Sequence, residues 1–559
     1  MGGGGHASGG VEAVLASAEQ TGWRGLFRNP KVFALAAFAS LGGVLYGYNQ
    51  GVFSSVQVMP EFHNRFASTL DDSATKGMLT GILELACFFS ASLSGFLADK
   101  FSRKPSKPAQ TTMSPISMVR TVTLRIAGPA LTTLAAGRFV TGLGVGAISV
   151  VVPLFNAELA PPGIRGTLVA LQQLSICFGI MISYWIGFGT NFIGGTTYPG
   201  QSSAAWRIPL AIQIVPGMIL CIGALFLPFS PRWLMLRDRE EECLQTLCKL
   251  RNRSADTPDI QVAPSHHLRD RALADMSQYE FKALKAERMV DKETARIRYG
   301  EDMPRYKVEL LEYKRIFTTK VLTQRLLLGV AINMLGQFSG INGGLATFPW
   351  TRHRAELRSA VLYYAPTIFQ QVGLSGGTTS LLATGVVGIV FFLVTAPAVF
   401  LIDNIGRKPL IIWGGISMTI AHAGIAAIIA VYGIFWYTCT YGCTWGAANW
   451  VIVAETLPLD IRGKGMGLST SMNWISNFTV AQITPIMITN IGYKLKGLSL
   501  EEVDEIFKDQ TGAQYNEIRD RVGRELGLDR LVDAVHVEHA EADHKTHDLQ
   551  EVEDASEKV

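Results

Sequence analysis

The chain has 559 residues, 48% hydrophobic and 17% charged, with a formal net charge of +4 and a mean hydropathy of +0.23. That is too apolar for a soluble globule of this length, and so slight a charge excess gives no sign of a nucleic-acid partner. No cofactor is implied: there is no Gly-Lys-Ser/Thr phosphate loop, and although Cys439 and Cys443 lie one helical turn apart, their neighbours cannot complete a zinc site.

Residues 1–31 are small and polar, end in a basic patch and lack a secretory signal pattern. Gly5 and His6 stand where a myristoylation signal needs Ser or Thr, so no lipid anchor is expected. Apolar blocks of about 20 residues follow, the length a helix needs to cross hydrocarbon. They cover 32–53, 77–98, 131–155, 166–189 and 208–228, then 325–371 (interrupted), 380–402, 410–430, 432–454 and 465–490. Between the two sets, 232–320 is dense in charge and helical in pattern, and 493–559 is a polar tail. The expected organisation is an N-terminal cytoplasmic segment (1–31), a transmembrane bundle (32–231), a cytoplasmic helical linker (232–320), a second bundle (321–492) and a cytoplasmic tail (493–559).

The two halves echo each other: GFLADKFSRK (95–104) matches VFLIDNIGRK (399–408), and FNAELAPPGIRG (155–166) is answered by VAETLPLDIRGKG (453–465). Duplicated helical halves are how many secondary transporters are built. The repeats place Asp99, Arg103 and Lys104, and again Asp403, Arg407 and Lys408, at span ends, with Glu158, Arg165, Glu455 and Arg462 at others. Carboxylates and guanidiniums gathered on one face can pair across helix ends and lock it, a cytoplasmic gate. Arg138, near the start of its apolar block, is assigned to the same network, with a snorkelling arginine as the alternative. For all these charges the plainer reading is topogenic anchoring.

With these motifs in view, the chain resembles the sugar porter family of the major facilitator superfamily, in its fungal hexose and pentose transporter branch. The resemblance rests on LGGVLYGYNQGVFS (41–54), GRFVTGLGVGA (137–147), PFSPRWLM (228–235), QFSGIN (337–342), YYAPTIF (363–369), DNIGRK (403–408), NWVIVAETLP (449–458) and KGLSLEEVDEIF (496–507). It implies an all-α membrane protein with two pseudo-symmetric six-helix bundles, a central sugar site and alternating access, resident in the plasma membrane. It also implies a transporter rather than an enzyme, with a small sugar, membrane lipid and, under symport, protons as partners. Buried sugar hydroxyls need hydrogen bonds, and neutral amides supply donors and acceptors without a buried charge. Gln172 and Gln173, Gln337 and Asn342, Trp450 and Asn473 are the substrate-binding candidates. Motif alignment puts all of these except Gln172 on the family's sugar-contacting positions, and Tyr363 and Tyr364 at its extracellular gate. Interhelical polar packing is the alternative for the amides.

Proton-coupled members often carry Asp where Asn49 stands here, yet Glu84 lies well inside the second span as a candidate proton carrier. A helix-packing hydrogen bond is its alternative, so uniport and proton symport both stay open. The chain departs from the family in three places. The third helix is replaced by the basic, proline-rich stretch 105–130; GGLATFPWTRHRAELRS (343–359) interrupts the block that begins with QFSGIN; and the twelfth helix is missing after GYK (492–494). Phe229 also stands where the family has Glu in PFSPRW. Such changes resemble intron and exon errors, so a defective gene product is one alternative to transport. A sugar sensor on the same fold is another, although sensors tend to have longer cytoplasmic extensions than this tail.

Overall fold

In the computed structural model, residues 25–27, 29–66, 72–101, 131–251, 268–300, 303–339, 377–426, 430–458 and 461–491 are described. The chain divides into two units, Met1–Thr489 and Asn490–Val559, and nearly all described residues belong to the first. The architecture is helical. The first half contributes α1 (Pro30–Ala39), α2 (Leu41–Gln57), the short α3 (Pro60–Arg65), α4 (Ser73–Phe101), α5 (Leu131–Leu159), α6 (Arg165–Thr190), α7 (Ala204–Ile212) and α8 (Ile214–Ala224). The linker holds α9 (Pro231–Leu236), α10 (Glu240–Leu250), α11 (Leu268–Tyr299) and α12 (Arg305–Thr318). The second half holds α13 (Lys320–Phe338), α14 (Gly377–Ile405), α15 (Arg407–Ala426), α16 (Ala430–Tyr441), a π-helical turn (Gly442–Gly446), α17 (Ala447–Thr456) and α18 (Arg462–Ile491).

Seven helical stretches among the described residues are long and apolar enough to cross a bilayer, including α1–α2 and α7–α8 taken as continuous spans. The sequence blocks at 410–430, 432–454 and 465–490 fall short of that test. For α18 the cause is visible: Ser469, Ser471, Asn473, Ser476 and Asn477 are buried against other helices, so lipid never sees them. The opposite pattern marks the lipid face: Val215, Met218, Ile219 and Ile222 form an exposed stripe at helical spacing on α8, and Phe226 just past its end extends it.

Small residues set how closely the helices approach. Gly47 on α2 lies so near α6 that a β-carbon there would sit 1.9 Å from the Ile176 carbonyl oxygen, and one at Gly179 would sit 2.2 Å from that of Val44. Along α4 and α5 the contacts climb together, from Thr80 with Arg138 to Leu83 with Gly142 and Cys87 with Gly146. These two helices are consecutive in the described chain and run parallel. The expected defect at 105–130, the interruption at 343–359 and the missing last helix lie outside the described residues. Within the described residues, the interrupted block 325–371 is helical from Lys320 to Phe338, and the block read as 410–430 is helical to Ala426, the last residue described before 430.

The linker folds on a small core of Trp233, Leu234, Met235, Cys243 and Leu247, joined by Phe229, Phe281 and Leu284. Burial pushes the Cys243 thiol up to about 12, so this cysteine is an inert packing residue. Ion pairs tie α11 to its neighbours: Arg251 to Glu280 at 2.8 Å, Lys285 to Glu240 at 2.6 Å and Lys292 to Asp238 at 2.6 Å.

Candidate functional site

The two halves meet along α4 with α18 and α6 with α14. At one end a β-carbon on Gly95 would lie 2.2 Å from the Gly463 carbonyl oxygen, and at the other one on Gly77 would lie 2.8 Å from that of Gln482. Between these ends lies a small cavity lined by Tyr46 and Gln50 from α2, Gln173, Ile176 and Ile180 from α6, Gln337 from α13, Phe391 from α14, Tyr441 from α16, Asn449 and Trp450 from α17, and Asn473 from α18. Its volume, measured as space open to the centre of a water molecule, is about 30 Å³. At roughly 10–15 Å³ per water, that is room for about two waters and not for a sugar ring.

The polar groups fill the site by bonding to one another. Trp450 donates its indole N–H to Gln173 Oε1 at 3.0 Å, a link between the halves. Gln337 donates to Asn473 Oδ1 at 2.6 Å. Trp474, next along α18, donates to Ser149 Oγ at 3.0 Å and makes a second link. The Tyr46 ring packs at 4.8 Å on Trp474 and edge-on at 6.5 Å to Trp450. The π-helical turn brings Gly446 against Gln173, and such turns often mark functional positions because they free backbone geometry from the regular helix.

Of the sequence candidates, Gln173, Gln337, Trp450 and Asn473 come together here. Gln172 does not. One residue along a helix turns the side chain by about 100°, and Gln172 points instead at Gly43 of α2, where neither of its amide atoms has a hydrogen-bond partner. Asn342, Tyr363 and Tyr364 lie outside the described residues. Sequence reasoning missed Tyr46, Gln50, Phe391, Tyr441 and Asn449. A signal existed for two: Tyr46 and Gln50 are four apart in YGYNQG (46–51) and so share a helix face, whereas Asn49 between them donates back to the Leu45 carbonyl at 2.9 Å.

A second cluster gathers at the face rich in Arg and Lys. Asp403 Oδ2 accepts from the Thr167 N–H at 2.8 Å and from its hydroxyl at 2.6 Å, so a carboxylate of the second half caps the first turn of α6 in the first. Arg407 pairs with Asp403 at 3.0 Å and with Glu455 at 2.6 Å. Ser230 donates to Glu158 at 2.5 Å. Arg462 lies within the fields of Arg232, Arg165, Glu158 and Glu287. Where Phe229 removes the expected carboxylate, its ring stacks on Trp233 at 5.1 Å, and Glu287 of α11 pairs with Arg232. Lys408 is exposed, and the side chains of Asp99, Arg103 and Lys104 are not described.

Arg138 does not belong to this network. It stands 20 residues before Glu158 on the same helix, a separation of about 30 Å, and it is buried with its guanidinium 4.0 Å above the Phe53 ring. Arg138 lies about two turns into the described part of α5, where the Thr80 carbonyl of α4 accepts from it. Glu84 is likewise buried, on the α4 face opposite.

A cavity of neutral amides and aromatic rings between two repeated helical halves, with a charged lock at one end, defines a multi-pass membrane carrier of the major facilitator fold. The profile of the family described as "Sugar (and other) transporter" matches residues 35–500, and the chain belongs to that family. It is 30% identical over 531 residues to the MFS glucose transporter mfs1 of Aspergillus flavus, covering 85% of this chain and 89% of that one. To the high-affinity glucose transporter of Kluyveromyces lactis it is 27% identical over 558 residues, 89% of this chain and 90% of that one. The high glucose sensor RGT2 of Saccharomyces cerevisiae is also 27% identical, over 84% of this chain but 60% of the sensor. Among solved structures, the proton:xylose symporter XylE bound to 6-bromo-6-deoxy-D-glucose shares the fold, with a TM-score of 0.65 at 24% identity over 85% of this chain and 92% of XylE.

Proposed function

We propose that the chain carries a monosaccharide, a hexose or a pentose, across the plasma membrane by alternating access, and that it performs no covalent chemistry. The observation that carries this reading is that Gln173 and Gln337, from opposite halves, line one cavity together with Trp450 and Asn473. Gln173, Gln337 and Asn473 each bond to a protein partner, while Asn473 Nδ2 and Asn449 Oδ1 are buried without one, so a sugar entering the site can exchange the existing bonds for its own hydroxyls and pair the remaining atoms. The aromatic faces of Tyr46 and Trp450 suit the C–H side of a pyranose ring. At the cytoplasmic face, Asp403 on the first turn of α6 and the Arg407–Glu455 pair hold the halves closed, and their separation opens the cavity inward. The relatives favour transport over sensing: glucose transporters match this chain along about nine-tenths of their length, whereas it spans 60% of the sensor.

Uptake of labelled glucose and xylose in a cell lacking its own hexose transporters tests the reading. Saturable uptake of either sugar is expected, and no uptake of any monosaccharide by a correctly inserted protein overturns it.

A further inference from the structure

Helix α12 leads straight into the span α13, and the helical path breaks between them. Thr319 adopts φ −94° and ψ 109°, outside the helical region, and Thr323 fixes the turn by donating its hydroxyl to the Ile316 carbonyl at 2.9 Å. Helix α12 therefore leaves the line of the span at the end that Lys320 opens. One of its faces is held by protein. Ile316 is buried in a cluster with Leu322 and Leu326 of α13 and with Ile461, and Glu312 pairs with the buried Lys464 at the start of α18.

The opposite face is open. Lys307, Leu310, Lys314 and Phe317 follow at spacings of three and four, within about 80° of arc, and all four are exposed, Leu310 by 70% and Phe317 by 58%. Apolar side chains gain by leaving water, so a face this bare calls for a cover. The stripe continues past the turn: Val321, Leu328 and Leu335 are exposed along α13 at sevenfold spacing, and on a span such residues face lipid. Charge gathers in the same place. Six bases and two acids lie between Arg305 and Arg325, and one of the acids, Glu312, is already paired, so the segment is strongly positive. Lys320 and Arg325 are exposed on the first two turns of α13, where long basic side chains can keep their stems on apolar surface and their charges outside it. Helix α11 also exposes apolar residues, Met289, Val290 and Ile297, but no span continues them, and its Lys285 and Lys292 are paired with acids of the linker. A protein laid on α12 would have to cover lipid-facing residues of α13 as well, whereas a bilayer meets both at once.

We propose that α12 lies in the bilayer surface as an interfacial helix and, with the first turns of α13, binds anionic phospholipids of the adjoining leaflet. Leu310 and Phe317 enter the acyl boundary, while Lys307, Lys314, Lys320 and Arg325 pair with the headgroup anions. Because α12 is tied to α18 through Glu312 and Lys464 and runs into α13, the leaflet gains a hold on the two helices that carry Asn473 and Gln337. The inference needs α13 to span a membrane and is independent of the solute carried.

The test reconstitutes the full chain into phosphatidylcholine vesicles that carry a trace of photoreactive lipid, with the reactive group in the acyl chain and either a phosphatidylserine or a phosphatidylcholine headgroup. After illumination, lipid adducts are mapped along the chain by mass spectrometry. On residues 305–325, serine-lipid adducts should exceed choline-lipid adducts by at least about fivefold, the factor expected from one basic residue at an anionic surface. The excess should vanish at about 1 M salt, where the screening length falls to about 3 Å. Lys307→Gln, Lys314→Gln and Lys320→Gln together should bring the ratio near one, while Lys282→Gln with Arg298→Gln on α11 should leave it unchanged. Choline-lipid adducts on 321–335 report insertion of each variant, and the salt titration of the wild type decides the matter if a variant fails to insert. Equal labelling by the two lipids in the wild type, a ratio indifferent to salt, or a ratio lost equally in the α11 variant would each overturn the inference. So would adducts confined to α13 with none before Lys320, the outcome for a helix covered by protein or left in water.

Discussion

In the closed cavity Trp450 spends its indole hydrogen on Gln173, and Gln337 spends an amide hydrogen on Asn473. These bonds join side chains across the cavity and leave Asn473 Nδ2 and Asn449 Oδ1 without a partner, so removing one bonding partner should harm sugar binding more than folding. A neutral hydrogen bond to a ligand is worth about 1 kcal/mol net, and about 1–3 kcal/mol when its loss strands a buried partner. Gln337→Ala and Asn473→Ala should accordingly each raise the KM for uptake by roughly 5- to 100-fold, with an unfolding midpoint close to wild type. Gln172 predicts the reverse. Its side chain is buried against Gly43 with both amide atoms unpartnered, so Gln172→Leu should leave KM within about twofold of wild type and hold or raise the midpoint. A large rise in KM for Gln172→Leu would place that side chain at the sugar after all. Adjacent glutamines in a helix look equivalent in sequence; which one faces the cavity depends on the rotation of α6, and that is fixed by the packing of Gly47 and Gly179.

At the scale of helices, close approach is the organising device. A β-carbon on Gly47 would fall 1.9 Å from a backbone oxygen that cannot swing aside, so the helices must part, at a cost of at least about 1–3 kcal/mol. Gly47→Val should sharply reduce the yield of monodisperse protein, whereas Gly189→Ala, where nothing lies within 4 Å, should not. Equal yields from the two variants would contradict this packing. Most spans were legible as apolar blocks, and α18 was legible in spite of its polar centre because the sequence before it repeats that before α6. What stayed hidden was depth and direction. Arg138, assigned to the gate network from its place near the start of an apolar block, is buried with its guanidinium over Phe53. Tyr441 and Phe391 gave no polar signal, and reach the cavity only because a π-helical turn follows one and α14 runs along α6 beside the other.

For the whole molecule, the charges clustered at the basic face were readable because they recur in both halves, but their partners were not. The repeat suggested carboxylates and guanidiniums pairing across helix ends without saying which; Asp403 caps the first turn of α6, and Glu287 of the linker serves Arg232. Hydrogen bonds to a charged group are worth about 1.5–3 kcal/mol each, so Asp403→Asn should shift the population toward the inward-open state by tenfold or more. Cys177, beside Gln173 at 3.4 Å, reports on that shift. In a variant keeping Cys177 alone, its alkylation from the cytoplasmic side should speed up by about tenfold on adding Asp403→Asn, and an unchanged rate would show that the lock lies elsewhere.

The central claim is that a sugar is held between amides of the two halves. Determining the structure of the protein with a monosaccharide bound tests it most directly. The ring should lie within hydrogen-bonding distance of Gln173 and Gln337 together, with the Trp450–Gln173 and Gln337–Asn473 bonds opened to receive it. A sugar found wholly within one half, or one that leaves both bonds intact, would contradict the account.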